Sequence, residues 1–372
     1  MIYLDYQATT PVAPEVAEAM RPWAEERFAN PHSPSRWGRE AAAAIEVARG
    51  QVERAIGLDG GGLAFTGSAT EAINWAIRGT LEKAPNERDR IVTVATEHAA
   101  VLDTAEWLAG QGVDLTLLPV GSDGLIDLAD VSQELDERVA LVAVMLVNNE
   151  IGVIQPVAEV ARMAHDVGAL MLCDAVQGLG RINIPDGPDL VAVSAHKIHG
   201  PKGVGALWMR DGMEPAPLLH GGGQERGLRS GTMAPALCAG FGAAAKLASE
   251  RRGVDRDHVE RLWKAALEAL GEGWLVNGSS EHRYRGNLNL RREGLDSARL
   301  IADLRDIAFS LGSACASGSG RPSHVLRALG LSDREGRSSV RIGFGRYTSE
   351  QELVEALSRI AAAARAQEGV AA

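Results

Sequence analysis

Six apolar runs, at residues 91–95, 114–118, 139–147, 169–173, 190–193 and 204–209, alternate with segments of helical periodicity. That cadence constrains the chain more than any other feature, because strand-length runs separated by helices are the pattern of a sheet sandwiched between helical layers. A long Ala-rich helical segment at 234–270, with an interruption expected near Gly253, separates this α/β block from the C-terminal region. That region reads as strand at 287–290, helix at 296–306, strand at 307–311, helix at 323–328, strand at 340–343 and helix at 349–364. Residues 365–372 are expected to fray. The chain's 372 residues exceed what one core usually supports, and a 45% hydrophobic content supplies apolar side chains for two. No internal repeat and no long linker is visible.

The formal net charge of −11 argues against a nucleic-acid protein, since no basic stripe is available to neutralise phosphates. No apolar run approaches the roughly 18 to 20 residues that cross a bilayer. The N-terminus goes straight into Tyr3-Leu4-Asp5-Tyr6 without a basic segment or cleavage pattern, so a cytoplasmic protein is expected. Three cysteines without CxxC spacing suggest neither a disulfide framework nor a zinc site, and the thiols are expected to be reduced.

Several strand ends carry residues suited to chemistry. The run at 189–193 is followed by Ser194-Ala195-His196-Lys197-Ile198-His199-Gly200-Pro201-Lys202-Gly203. Lys197 is either an ordinary loop lysine or a Schiff-base amine, whose burial beside cationic and polar groups disfavours the ammonium form. The run at 169–173 ends in Asp174-Ala175-Val176-Gln177. Asp174 either caps a turn or holds a pyridine nitrogen protonated, the condition that makes pyridoxal phosphate (PLP) an electron sink. In Thr66-Gly67-Ser68-Ala69-Thr70-Glu71, Ser68 and Glu71 fit a capping box, so a helix should start there with free N–H groups that suit a phosphate. Cys173 and Cys238 lie in apolar or small-residue surroundings and read as buried thiols. Cys315, in Gly312-Ser313-Ala314-Cys315-Ala316-Ser317-Gly318-Ser319-Gly320, has nothing around it to pack a core. It is either an incidental loop cysteine or a sulfur carrier on a mobile loop.

Taken in order, these motifs resemble the cysteine desulfurases of the NifS/IscS type, within the class V aminotransferase group of PLP enzymes. The residues that carry the likeness are Tyr3 to Pro11, Glu97-His98, Val147-Asn148-Asn149-Glu150-Ile151-Gly152, Asp174 with Gln177, His196-Lys197, the glycine-rich loop at 220–232, and Gly312-Ser313-Ala314-Cys315. The resemblance runs from Tyr3 to about Thr348. It implies PLP-dependent transferase fold type I: a large α/β domain at 15–254 with a mostly parallel sheet, and a smaller α+β domain at 1–14 and 255–372 carrying the catalytic cysteine. It further implies that PLP is bound by Lys197, with Ala69, Thr70, Ser194 and His196 on its phosphate and Asp174 on its pyridine nitrogen. His98 is then the residue that stacks on the ring and shuttles protons. Asn149 and Gln177 match residues that bond substrate or the 3-oxygen. Arg341, in isolation equally a structural ion-pair residue, becomes the carboxylate clamp, assisted by Asn30. The glycine-rich loop, otherwise a flexible connector, carries Thr232 across a homodimer interface to the neighbouring phosphate.

The implied reaction converts L-cysteine to L-alanine. Lys197 removes the Cα proton, and Cys315 as thiolate attacks the substrate sulfur and is left as a persulfide. The sulfur then passes to an acceptor protein such as an iron–sulfur scaffold or a thiolation relay. No metal site is expected, apart from a cluster that Cys315 holds transiently during transfer, and neither nucleic-acid nor membrane binding is expected. Gln224 stands where many relatives have histidine, and the chain stops soon after its last helix, which leaves the acceptor open. Selenocysteine lyase, another class V enzyme such as an aminotransferase, and a catalytically idle scaffold are the competing readings. Lys197 with Asp174 disfavours the idle subunit, and Cys315 disfavours the aminotransferase.

Overall fold

A computed structural model describes residues 1–312 and 323–368. In chain order, β1 (Ile2–Tyr3) precedes the strands of the main sheet: β2 (Gly61–Thr66), β3 (Arg90–Val94), β4 (Asp114–Leu118), β5 (Val139–Met145), β6 (Leu170–Asp174), β7 (Leu190–Ser194) and β8 (Gly205–Arg210). They form a seven-stranded sheet in the order β2-β8-β7-β6-β5-β3-β4. β8 runs antiparallel to both β2 and β7, and the other pairings are parallel.

Alternation along the central strands explains why both faces are covered. In β5, Val142 and Val144 point into one core while Leu141 and Ala143 point into another, and every residue of the strand is buried. β6 and β7 divide in the same way, with Cys173 and Val191 on the first side and Leu172 and Ala192 on the second. Helices Arg36–Ile56, Val157–Asp166 and the first half of Pro235–Leu270 close the first face, and Ala69–Lys83 and Ala99–Ala109 close the second. Parallel strands buried on two faces read as continuous apolar runs, which is how they stand in the sequence.

The remaining strands are β9 (Leu275–Val276), β10 (Asn287–Arg291), β11 (Ile307–Ala308), β12 (Ser310–Leu311) and β13 (Ser339–Gly343). An antiparallel sheet in the order β12-β13-β10-β9 packs with the second half of helix Pro235–Leu270 and with helix Glu350–Glu368 around a separate core. The N-terminus contributes Leu4 to that core, and β1 pairs in parallel with β11.

Three details depart from the sequence reading. The run at 307–311 is two strands, because 307–308 pair with β1 while 310–311 pair with β13 in another sheet. Helix Pro235–Leu270 is continuous through Gly253. Its two halves are anchored by Phe241 and Ala245 in one core and by Leu262 and Ala266 in the other, and that packing outweighs the roughly 1 kcal/mol a helical glycine costs. The last helix extends to Glu368, so residues 365–368 do not fray; Ala361 and Ala364 bury the turn before them. No helix among the described residues is long and apolar enough to cross a membrane.

The glycine-rich loop at 220–232 is pinned. Glu225 Oε1 and Oε2 accept hydrogen bonds of 2.8 and 2.7 Å from Arg49, and Oε2 also accepts from the Phe65 amide at 2.7 Å. Both side chains are buried, at 3% and 7% exposure. Burial opposes the Arg49 charge, but Glu225 and Glu46 outweigh it and raise its pKa.

Candidate active site

The parallel strands β5, β6 and β7 end at one edge of the sheet, where open α/β sheets form ligand crevices. There Met145, Asp174 and Ser194 stand at strand termini around a cavity of about 550 Å³. Ala69, Thr70, His98, Asn149, Gln177, His196, Lys197 and Arg341 line the same cavity. Of the residues expected at the site, Asn30 and Thr232 are exposed and lie off the cavity wall of this single chain, and Cys315 lies outside the described residues.

One wall is a helix start. Ser68 caps helix Ala69–Lys83 by accepting from the Glu71 amide at 3.1 Å. The capping box is only half formed, because the Glu71 carboxylate turns to the Gly67 amide at 2.8 Å and to Arg229 Nε at 2.8 Å. The amides of Ala69 and Thr70, in the first turn, have no partner within the helix and belong to its positive end. Gly205 permits this placement, since a Cβ there would lie 2.6 Å from the Ala69 nitrogen.

Opposite stands Lys197. Its Nζ donates to the Gln7 carbonyl at 2.6 Å and to the Ala8 carbonyl at 2.8 Å. Burial first, then Arg181 and Arg341, push its pKa down to about 8, with Asp174 and Asp5 opposing. Its neighbour His196 is pushed down to about 4 by burial and by Lys197, Lys202 and Arg181, and its Nδ1 lies 3.1 Å from Thr9 Oγ1. His199 follows at a φ of 67°, held by Thr10 Oγ1 on its amide and the Pro11 carbonyl on its ring.

Asp174 is buried, and Oδ1 accepts from the Val176 amide at 2.9 Å. Burial raises its carboxyl, while His98, the Val176 amide and Lys197 hold it down. Beside it, Glu97 is raised well above the usual carboxylate range by burial and then by Asp174. Its Oε1 accepts from Met145 at 2.6 Å, and its Oε2 is buried without a partner among the described residues. Burial thus disfavours the charged form of both carboxyls, and Asp174 is the one whose rise is opposed by His98 and Lys197. His98 caps helix Ala99–Ala109, with Nδ1 accepting from the Ala100 amide at 3.0 Å. That bond assigns the proton of a neutral ring to Nε2.

Arg341 is fully buried, and Nη2 reaches Asp5 Oδ1 at 2.7 Å and Ser310 Oγ at 3.2 Å. Nη1 donates to the Asn149 carbonyl, and Nε has no partner among the described residues. Gln177 donates from Nε2 to the Gln7 carbonyl at 3.0 Å. Cys173 and Cys238 are buried free thiols, and burial pushes Cys238 up to about 12 and Cys173 well above the ordinary thiol range. The sequence reading assigns no role to Gln7, Ala8, Glu97 or Asp5, although all four stand inside the quoted motifs.

The donor set suits a phosphorylated pyridine aldehyde. A helix start faces the anion, a buried carboxylate is placed for a ring nitrogen, a lysine of depressed pKa is placed for the aldehyde, and the volume falls in the range of cofactor pockets.

Comparison with known proteins agrees. The family model described as Aminotransferase class-V matches residues 2–357. The cysteine desulfurase IscS of Rickettsia bellii (strain OSU 85-389) is 43% identical over 368 residues, covering 96% of this chain and 90% of that protein. A solved NifS-like protein superposes with a TM-score of 0.91 at 33% identity over 97% of this chain and 98% of its own. A structure described as SspA in complex with cysteine superposes with a TM-score of 0.82 at 33% identity, covering 94% of this chain and all of that one. A full-length likeness of this kind, on a sheet whose strand ends gather a lysine, an aspartate and a helix start, places the chain in the class V aminotransferase family, among its cysteine desulfurases of the NifS/IscS type.

Proposed function

We propose that this protein is a PLP-dependent cysteine desulfurase that converts L-cysteine to L-alanine and carries the released sulfur as a persulfide on Cys315. The observation that supports it most is the convergence of Lys197, Asp174 and the Ala69–Thr70 amides on one cavity. The cysteine described with the SspA relative supports the substrate. When bound, PLP supplies an electron sink that acidifies the Cα–H of an amino acid.

In this reading Ala69, Thr70, Ser194 and His196 hold the phosphate, and Thr232 reaches it from a second copy of the chain. Asp174 pairs with the ring nitrogen, His98 covers the ring face, and Asn149 and Gln177 hold the 3-oxygen or the substrate. Lys197 anchors the cofactor and, released, moves the proton at the substrate Cα. A pKa near 8 gives it a useful neutral fraction at physiological pH. The free Nε of Arg341 takes the substrate carboxylate, with Asn30 assisting. Cys315 as thiolate forms an S–S bond to the substrate Sγ as the Cβ–Sγ bond breaks, and protonation of the remaining carbon skeleton gives alanine. The persulfide then passes to an acceptor protein. Residues 15–254 form the PLP-binding domain, and residues 1–14 with 255–372 form the domain that presents Cys315.

The test is to incubate the PLP-loaded protein with L-cysteine or L-selenocysteine, with and without dithiothreitol. Equimolar alanine and sulfide from L-cysteine are expected, with sulfide release dependent on the thiol. Selenide without sulfide assigns the protein as a selenocysteine lyase, and keto-acid formation without either assigns it as an aminotransferase.

A further inference from the structure

Behind the Lys197 backbone lies a second cavity, of about 160 Å³, distinct from the first although Lys197 borders both. Its wall is assembled from both cores: Arg181 follows β6, Arg252 and Arg256 lie on helix Pro235–Leu270, Arg283 and Arg285 precede β10, and Arg346 follows β13. Six arginines thus face two carboxylates, and both are already engaged. Asp255 pairs with Arg346 at 2.6 Å and Arg251 at 3.4 Å, and Glu260 pairs with Arg285. The remaining titratable neighbours add no negative charge: His199 is pushed down to about 4 by burial and Arg346, and burial raises the Tyr6 and Tyr284 hydroxyls.

The donors are also incompletely used. Arg252 Nε, Arg283 Nε and Arg346 Nη1 are buried without a hydrogen-bond partner among the described residues. Arg283 is 5% exposed, and the Arg346 side chain 6%. Arg283 donates its other nitrogens to the carbonyls of Asn277, Ser279, Ile151 and Asn287, none of which neutralises a charge. Buried guanidinium groups without a counter-ion are unfavourable, and a bound anion removes both the charge imbalance and the orphaned donors.

We propose that this cavity binds a tetrahedral inorganic oxyanion, phosphate or sulfate, which bridges the two cores. Its volume equals that of about five liquid waters, enough for one such ion and too small for a nucleotide. The planar forks of several arginines suit an ion with oxygens in every direction. Arg256, whose side chain is 69% exposed, marks where the cavity meets solvent. Arg181 ties the wall to the active site, since its Nη2 donates to the Lys197 carbonyl at 2.9 Å.

The test is isothermal titration of the PLP-loaded protein with inorganic phosphate, in chloride buffer at constant ionic strength. PLP in place closes the Ala69–Thr70 cradle to the titrant. One saturable site per chain is expected, with a melting temperature that rises with the logarithm of phosphate concentration. Arg252→Gln should weaken binding by about tenfold or more, the value of one charged hydrogen bond, and Arg256→Gln, exposed and paired with Asp257 at 3.3 Å, by about threefold, while Arg341→Gln leaves it unchanged. Arg256→Gln, being at the surface, keeps the test valid if Arg252→Gln does not fold. Absence of saturable binding, or binding lost in Arg341→Gln but retained in both of the other variants, overturns the proposal.

Discussion

Replacing Glu225 by leucine removes a carboxylate that accepts three hydrogen bonds from two groups in the interior. Arg49 loses two short hydrogen bonds and its buried counter-charge, and the Phe65 amide loses its acceptor. Breaking one side of a buried ion pair costs about 3–5 kcal/mol, and an orphaned amide about 1–3 kcal/mol more. Glu46, 59% exposed and 3.0 Å from Arg49, retains part of the charge interaction, so a net loss of about 4 kcal/mol is expected. With a denaturant slope of about 3 kcal/mol/M, that loss moves the urea midpoint down by about 1.3 M. The fluorescence of Trp75 and Trp208, both buried, follows the transition. Arg49→Met combined with Glu225→Leu should be less damaging than the sum of the two, because the double variant leaves no unpaired charge inside. A midpoint change equivalent to less than about 1 kcal/mol in the single variant, or strict additivity in the double, refutes the claim that this pair pins the glycine-rich loop.

Other consequences are testable on the same protein. The rate at which the PLP-free protein takes up PLP should rise about tenfold per pH unit and level off above pH 8, since the neutral Lys197 amine becomes the majority form there; a flat profile contradicts the depressed pKa. Borohydride reduction of the loaded protein should leave a pyridoxyl label on Lys197 and none on Lys202, read by peptide mapping. Cys315→Ser should keep PLP but lose nearly all sulfide release, and brief treatment of the wild-type protein with L-cysteine should add one sulfur to Cys315 and none to the buried Cys173 or Cys238, read by mass spectrometry. Asp5→Asn removes the carboxylate that orients Arg341 and should raise KM for L-cysteine by about tenfold with PLP content unchanged; an unaltered KM shows that Arg341 is positioned without it.

Much of the site was legible because it sits where strands stop. Ser194 and Asp174 end apolar runs, and Ser68 announces a helix start, so local signals placed them without knowledge of the sheet order. What stayed hidden is contact between distant parts of the chain. The Gln7 and Ala8 carbonyls meet Lys197 across about 190 residues, and Glu225 meets Arg49 across 176. No local periodicity encodes either meeting. The partial capping box shows the same effect, since Arg229, 158 residues away, competes for the Glu71 carboxylate. The division of the 307–311 run was hidden too, because its two partners, β1 and β13, lie at opposite ends of the chain.

The clamp on Lys197 also sets an order of events during synthesis. Domains tend to fold as they leave the ribosome, N-terminal parts first. Here the opening residues cannot follow that rule, because Ile2 and Tyr3 pair with Ile307 and Ala308, and Leu4 is buried among side chains as late as Ala364. The main sheet is finished by Arg210, long before those partners exist. Residues 2–4 therefore settle late, whereas Thr10, Pro11 and Ala13, which bond His196 and His199, have their partners as soon as the main sheet is complete. The segment that grips the Lys197 amine through Gln7 and Ala8 is thus tied at one end to a core that exists early and at the other to one that exists late.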